Sequence, residues 1–440
     1  MTTSTTDDTW RNWSGLVTTE PTRTAEPSGA EQVAAEVRAA REAGSTVKMV
    51  GSGHSFTAIG APTATMLTPA GLAGILEVDR EAMTVTAGSG TLLKDLNRAL
   101  EGQGLSLHNM GDIAEQTLAG AISTGTHGSG GRAASLAAQV VGLELVTGTG
   151  EVLRATAEEN PEVLEMARVG LGALGVLTSI TFQVEPVFVL EAHEQPMSWD
   201  EALATYDEMT ATSDHVDMYW FPHTDRMLTK RNERRGSDLS LARPLGRFKA
   251  WLDDEFLQNT VFGVLTAGAN RVPGVIPRMN RFAAGMLSER TFSDVPHRVF
   301  TATRSVVFRE MEYAVPREAG LAVLAEARRA IDASDLRISF PVEIRTAPAD
   351  DIPMSTAYQR DSLYLAFHTH RDADHLEYFA LLEPILRAHD GRPHWGKVHT
   401  RNAADLRPAY PRFDDFLAMR DRLDPDRVFA NPHLQRILGA

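Results

Sequence analysis

Glu343 and Arg345 stand two residues apart in Pro341-Val342-Glu343-Ile344-Arg345, a run with β-strand character. The side-chain period of two puts both on one face of the strand, with Val342 and Ile344 on the other. A guanidinium beside a carboxylate keeps the acid ionised and still offers donors to a substrate oxygen. A solvent-exposed ion pair fits the same spacing and would contribute little. Downstream, Arg392-Pro393-His394-Trp395-Gly396-Lys397 offers a cation and an imidazole beside a glycine. His368 and His370 share one face of another strand-like run, with no third ligand spaced nearby, so zinc is not expected. Far upstream, Val50-Gly51-Ser52-Gly53-His54-Ser55 follows the strand-like Thr46–Val50. Its glycines allow successive backbone N–H groups to face one concavity, which is a way to bind anionic oxygens.

These residues need elements to hold them. Ser28-Gly29-Ala30-Glu31 reads as a capping box opening a helix to about Ala43, with Val33 and Val37 inward. Strands are expected at Leu76–Val78 and Met83–Ala87, and a helix over Leu92–Leu100. The stretch from Gly111 and Asp112 through Thr117, Gly120, Ala121, Thr124, His127, Gly128 and Ser129 to Gly131 is rich in small residues. Such residues suit close backbone approach to something flat or phosphorylated, and a plain long surface loop is the disfavoured reading. A hairpin joins Val140–Val146 to Glu151–Ala155, and a helix follows near Pro161–Arg168.

Gly170, Gly172 and Gly175 match the dinucleotide fingerprint, but that motif needs a strand before it and a helix after it. Here a helix precedes, and Val176 to Val184, including Ile180, is strand-like, so a nicotinamide site is rejected. Beyond Pro186, strands at Phe188–His193, His215–Phe221, Ile338–Arg345 and Leu363–His370 alternate with helices at Trp199–Thr212, Glu318–Ile331 and Asp374–His389. That pattern suggests an antiparallel sheet covered by helices on one face. The basic stretch Lys230–Leu252 is expected as a surface loop. A closing helix runs over Phe413–Leu423.

The totals set outer limits. The chain has 440 residues, 43% hydrophobic and 23% charged, which is too long for one core and ordinary for a globular protein. Its net charge of −15 argues against nucleic acid and against an anionic membrane surface. It has no cysteine, which excludes disulfides, thiolate metal sites and cysteine nucleophiles. No segment reads as a signal peptide or membrane span, and a cytoplasmic location is expected.

Taken together, the Gly51–Ser55 loop, Gly111 to Ala121, Thr124 to Gly130, Leu171 to Val176, Met311 to Pro316, Pro341 to Arg345 and His394 to Lys397 resemble the vanillyl-alcohol oxidase superfamily. From about Asn12 to Leu438 the chain is similar to its sugar-lactone oxidase and dehydrogenase branch, with alditol oxidases as relatives. The resemblance implies an α+β protein with a PCMH-type FAD-binding α/β domain of two subdomains and a cap domain. The expected division is a tail over 1–11, the FAD domain over 12–186, the cap over 187–391, and 392–440 returning to the FAD domain.

The resemblance further implies FAD held by Val50 to Ser55, Gly111, Asp112, Thr117, Gly120, Ala121, Thr124, His127, Gly128, Ser129, Gly175, Val176, Ile180, His394 and Lys397. His54 would carry a covalent bond to the flavin. Glu343, Arg345 and Lys397 would be catalytic, Lys397 by stabilising an anionic reduced ring. Thr117, His368 and His370 would contact the substrate. The implied reaction takes a hydride from a carbinol carbon, C2 of a lactone, and yields an ascorbate-like product. Oxygen or another acceptor would reoxidise the flavin. Gly111-Asp112-Ile113 and the residues up to Thr117 resemble the lactone enzymes more than the alditol oxidases, which leave open-chain polyols as the alternative substrate.

Overall fold

The computed structural model describes residues 9–130, 134–246, 268, 272–301 and 306–440. Among the described residues, its first part holds two larger sheets besides two-stranded pairings. Strands β1 (Arg23–Ala25), β2 (Val47–Met49) and β3 (Thr65–Leu67) form a parallel sheet in the order β1-β3-β2. Helix α1 (Ala30–Glu42) buries Val33, Ala34 and Val37 against it, together with Val47 and Leu67. The helix begins one residue later than a Ser28 cap requires. Gly29 is the N-cap, in extended conformation, and the Ser28 backbone N–H and hydroxyl both donate to the Gln32 side chain. The expected capping box is therefore not formed.

The second sheet is antiparallel, in the order β7-β6-β8-β5-β4. It comprises β4 (Ile75–Asp79), β5 (Thr84–Gly88), β6 (Val140–Val146), β7 (Val152–Thr156) and β8 (Val176–Gln183). Helices α2 (Leu93–Gly102), α3 (Leu118–Ser123) and α4 (Pro161–Ala167) pack on it through Leu93, Leu96, Leu118, Ile122 and Val163. Strand β8 directly follows the Gly170–Gly175 turn, in keeping with the rejected nicotinamide fingerprint. The small-residue stretch is not wholly irregular, because α3 lies inside it. Thr117 caps that helix by accepting the Gly120 N–H at 3.2 Å, so a short helix forms where residue size alone reads as loop.

The second part is one antiparallel sheet of eight strands, in the order β12-β9-β11-β10-β14-β15-β13-β16. Its strands are β9 (Leu190–Ser198), β10 (His215–Trp220), β11 (Arg226–Arg234), β12 (Arg290–Asp294), β13 (Phe308–Pro316), β14 (Val342–Ala347), β15 (Ser362–His370) and β16 (Arg392–Pro393). Helices α5 (Trp199–Thr212), α6 (Arg317–Ala333) and α7 (His375–Ala388) cover one face. The α+β class with a helix-covered antiparallel sheet is as expected.

Two expectations fail here. The basic run from Lys230 is not a surface loop at its start, because residues up to Arg234 belong to β11 inside the sheet. Met227, Thr229 and Asn232 are buried, while Lys230 donates to the Val299 carbonyl at 2.7 Å and Arg234 pairs with Glu185 at 2.5 Å. Long basic side chains can thus sit in a strand when their heads reach acceptors. Residues 235–246 lie outside any strand and are mostly exposed, as expected of a surface loop, and the run from residue 247 lies outside the described residues. At the N-terminus, residues 1–8 lie outside them too, but Trp10–Arg11 is not tail. It pairs with Thr18–Thr19 as a short strand.

After the sheet, the chain returns to the first part. Leu406, Tyr410 and Phe413, then Phe416 and Leu423 of α8 (Phe413–Leu423), join Ile437 of α9 (Pro432–Leu438) in the core that contains Leu93 and Leu118.

Candidate active site

Strand β2 delivers the chain into the Val50–Ser55 loop. Val50 N–H donates to the Leu67 carbonyl at 2.9 Å and Phe56 N–H to the Gly396 carbonyl at 2.6 Å, so both ends are pinned. Between them, the N–H groups of Gly51 to Ser55 make no hydrogen bond within the described residues. They border a cleft of about 1000 Å³, open to solvent, which Thr117, Gly120, Thr124, Gly175 and Val176 also line. Gly51 is needed there, since a Cβ at that position would lie 2.4 Å from Thr117 Oγ1. Gly53 has φ of +68°, a conformation that favours glycine.

His54 closes the loop, its ring 5.6 Å from that of Trp13. Burial lowers its pKa, with the nearby Lys397 cation lowering it further against the opposing pull of Glu115. A neutral imidazole with an available nitrogen results.

The eight-stranded sheet presents its second face to this part of the molecule. Glu310 and Glu312 of β13, Glu343 and Arg345 of β14, His368 of β15 and Asp217 of β10 are all buried. Arg345 Nη2 lies 2.5 Å from Glu343 Oε1 and 3.5 Å from Asp112 Oδ2, and its Nε donates to Asp217 at 3.1 Å. Burial acts to lower the guanidinium pKa, but these carboxylates raise it well above its ordinary value. The exposed-pair reading of Glu343 and Arg345 is thus excluded, because both are under a tenth exposed.

Lys397 Nζ is hydrogen-bonded to Glu310, whose other oxygen lies 3.4 Å from His368 Nε2. Burial works against the Glu310 carboxylate, yet Lys397 and His368 hold its pKa down at about 2. Burial likewise opposes the Lys397 charge, and Glu310 and Glu312 raise its pKa against it.

One strand position on, Glu312 lies 3.3 Å from His127 Nε2. The His127 ring stacks on Tyr364 at 3.7 Å, and its Nδ1 meets the Gly128 carbonyl at 2.9 Å. His394 completes this group. Its Nδ1 accepts the Gly396 N–H at 3.1 Å, and burial pushes its pKa down to about 3. His127, Glu312 and His394 could surround a cation by distance alone. Because a backbone N–H occupies His394 Nδ1, the ring proton must sit on Nε2, which leaves that nitrogen no lone pair for a metal.

The Thr124–Gly130 loop is fastened to this sheet. Gly130 N–H donates to the Thr346 carbonyl at 2.9 Å, Ser129 Oγ to Asp217 at 3.0 Å, and His215 Nδ1 to the Ser129 carbonyl at 2.6 Å. The nucleotide-style cleft and the charged sheet face are therefore joined.

Among the residues singled out from sequence, some lie elsewhere. Ala121 and Ile180 are fully buried in the apolar core, where the helical and strand periods turn their side chains away from the cleft. Gly111 and Gly128 serve chain packing. A Cβ on Gly111 would lie 3.2 Å from the His127 carbonyl, and one on Gly128 would lie 2.3 Å from that of Met110. His370 shares a face with His368 but stands further along β15, where its Nδ1 accepts the Asp372 N–H at 3.2 Å.

A model of the D-arabinono-1,4-lactone oxidase family matches residues 180–437, more than half of the chain. The chain belongs to the D-arabinono-1,4-lactone oxidase family. An FAD-binding domain model matches residues 21–156. An L-gulono-1,4-lactone dehydrogenase of Mycobacterium tuberculosis is 39% identical over 430 residues, covering 98% of this chain and 99% of that protein. An alditol oxidase of a Streptomyces species is 32% identical, covering 97% and 98%. Among solved structures, cholesterol oxidase of Brevibacterium sterolicum aligns over 98% of this chain and 96% of its own, with a TM-score of 0.82 and 19% identity, a likeness of fold.

The cleft of this family member fits FAD on its own geometry. Five consecutive backbone donors without partners and close-packed glycines suit a diphosphate. Sequence reasoning missed Glu310, Glu312 and Asp217, although the Met311–Pro316 stretch was noted. For Glu310 and Glu312 the signal is the alternation of Glu310, Glu312 and Ala314 with Met311, Tyr313 and Val315, a strand that carries charge on one face.

Proposed function

We propose that this chain oxidises a sugar 1,4-lactone with FAD, of the L-gulono- or D-arabinono-1,4-lactone type, converting the C2 carbinol to a ketone that enolises to an ascorbate-like product. The observation carrying this reading is the buried Glu343–Arg345 pair, with Lys397 held by Glu310 on the same sheet face, which is fastened to the FAD-type cleft. FAD, when bound, supplies the hydride acceptor. The Gly51–Ser55 donors would hold its diphosphate, with Thr117, Thr124, Gly175 and Val176 lining the same cleft. Arg345, fixed by three carboxylates, donates to the substrate oxygens. Glu343 orients the C2 hydroxyl and takes its proton as the C–H bond breaks. Lys397 offers a fixed cation where negative charge accumulates. His54, its pKa lowered chiefly by burial, would be the attachment point of a covalently held cofactor. This reading assigns FAD to residues 12–186, substrate to 187–391 and closure of the flavin site to 392–440.

Two measurements test it. L-gulono-1,4-lactone and D-arabinono-1,4-lactone are compared with xylitol and sorbitol, following peroxide yield and dye reduction in parallel. Rapid polyol oxidation without lactone turnover would replace the reading by the alditol alternative, which the 32% identical relative supports. Acid precipitation should leave yellow colour in the pellet, and His54→Ala should release it to the supernatant. Colour retained in the His54→Ala pellet would move the link elsewhere.

A further inference from the structure

The charged sheet face carries more acid than base. Among the described residues, Asp217, Glu310, Glu312 and Glu343, with Asp112 at its edge, outnumber Arg345, Lys397 and Lys230, the last standing directly opposite Asp217. His394 stays neutral by its hydrogen bonding, and the five carboxylates still outnumber the three fixed cations when Lys230 is counted. All three cations are committed, Lys230 to the Val299 carbonyl at 2.7 Å. Arg345 is shared among Glu343, Asp217 and Asp112, and Lys397 is bonded to Glu310. A substrate hydroxyl can join such pairs as one more donor and acceptor. A substrate carboxylate would meet several buried like charges and could gain a cation only by breaking an existing pair or hydrogen bond.

We infer that this site selects an uncharged, ring-closed lactone over the open-chain aldonate formed when the same lactone hydrolyses, with Glu310 and Asp217 as specificity residues that keep Lys397 and Arg345 from pairing with a carboxylate. The inference rests on the proposed reading that a neutral sugar derivative is the substrate. It adds that the discrimination lies in protein carboxylates, by building repulsion against the wrong ligand.

The test uses the flavin-loaded enzyme with L-gulono-1,4-lactone and its hydrolysis product, sodium L-gulonate. If xylitol is the substrate, xylonate takes the place of gulonate. Gulonate inhibition is measured against lactone turnover, and gulonate binding separately by perturbation of the flavin absorbance. In the native enzyme, gulonate should bind about tenfold or more weakly than the lactone. Glu310→Gln should tighten gulonate by about tenfold, with a much smaller change in lactone KM, and added salt should shrink that gain. Asp217→Asn, which frees part of Arg345, should act in the same direction and serves if Glu310→Gln fails to fold. A gain in anion binding is not a result that general damage produces. Native gulonate affinity equal to that of the lactone would overturn the inference, as would unchanged gulonate binding in both variants. Failure to turn over any lactone or polyol would instead strike the functional reading, while the absorbance titration still compares the charged and neutral ligands.

Discussion

The two faces of the eight-stranded sheet are made by the same residues in alternation, and they follow opposite rules. On one face Met311, Tyr313, Val315, Val342, Ile344, Leu365 and Phe367 pack under α5, α6 and α7 with almost no exposure. On the other, Glu310, Glu312, Glu343, Arg345 and His368 are also buried, at 4–8% exposure, and all are charged or polar. Burial of the first set is favourable by itself, at about 25 cal/mol per Å² of apolar surface. Burial of the second costs free energy that paired charges only partly return. The apolar face therefore stabilises the sheet, whereas the charged face is kept at the expense of stability, which is the mark of a site.

The largest effect is expected on the charged face. Arg345→Met removes the partner of Glu343, Asp217 and Asp112 at once. Uncompensated buried carboxylates should cost about 3–5 kcal/mol of stability, and loss of the positioning donor should lower kcat/KM by about a thousandfold or more. Urea unfolding and steady-state kinetics on the same preparation check both. A variant with near-native kinetics would show that the charged face is structural only. On the opposite face, Phe367→Ala should cost a similar ~3–5 kcal/mol but leave the turnover of the folded fraction within about twofold. An active-site titration of flavin-loaded protein separates the two quantities. If Phe367→Ala reduces turnover as strongly as it reduces stability, the two faces are not independent.

This alternation also sets what could be read from the sequence. Glu343 and Arg345 were legible because strand period places them together and both carry charge. The long elements were legible for the same reason, as Trp199–Thr212 and Phe413–Leu423 show by matching α5 and α8 at both ends. Glu310 and Glu312 were not singled out, because each acquires meaning only from Lys397 and His127, which are distant in sequence and meet them through sheet pairing and loop docking. Ser28 failed as a cap because a serine and a glutamate at the right spacing do not fix which residue leaves the helical conformation. Lys230 was misread because composition does not reveal that an ammonium will find a carbonyl such as that of Val299.

Acid should strip stability from the charged face in two stages. The pKa of His394 is pushed down to about 3 in the folded chain, below an unfolded value of ~6.5, so the unfolded state binds the extra proton first. Its contribution is present above that unfolded value and declines as pH falls through the window down to about 3. The pKa of Glu310 is lowered to about 2 from an unfolded ~4.3, so its contribution is full above the unfolded value and is lost as pH falls towards 2. Urea midpoints measured from pH 7 to pH 3 should therefore fall, and His394→Phe should flatten the upper part of that slope by a few tenths to one kcal/mol. Phe367→Ala should shift the whole curve without changing its slope. A His394→Phe slope equal to that of the native chain would mean that the imidazole does not stay neutral in its pocket.

The smallest effect is expected where a charge pair lies at the rim. Arg407 and Asp414 are 3.0 Å apart, with side chains 57% and 74% exposed. Their geometry is as good as that of Arg345 with Asp217, at 3.1 Å, yet water solvates both members. Desolvation is small, salt screens the attraction, and holding two long side chains costs entropy, so Asp414→Asn should change stability by less than about 0.5 kcal/mol. Thermal unfolding at low and high salt measures it. A loss of several kcal/mol would mean that ion-pair distance sets the energy in this chain. A null result beside a large Arg345→Met effect would mean that burial sets it, and that the cost of the charged face comes from excluding water around its carboxylates.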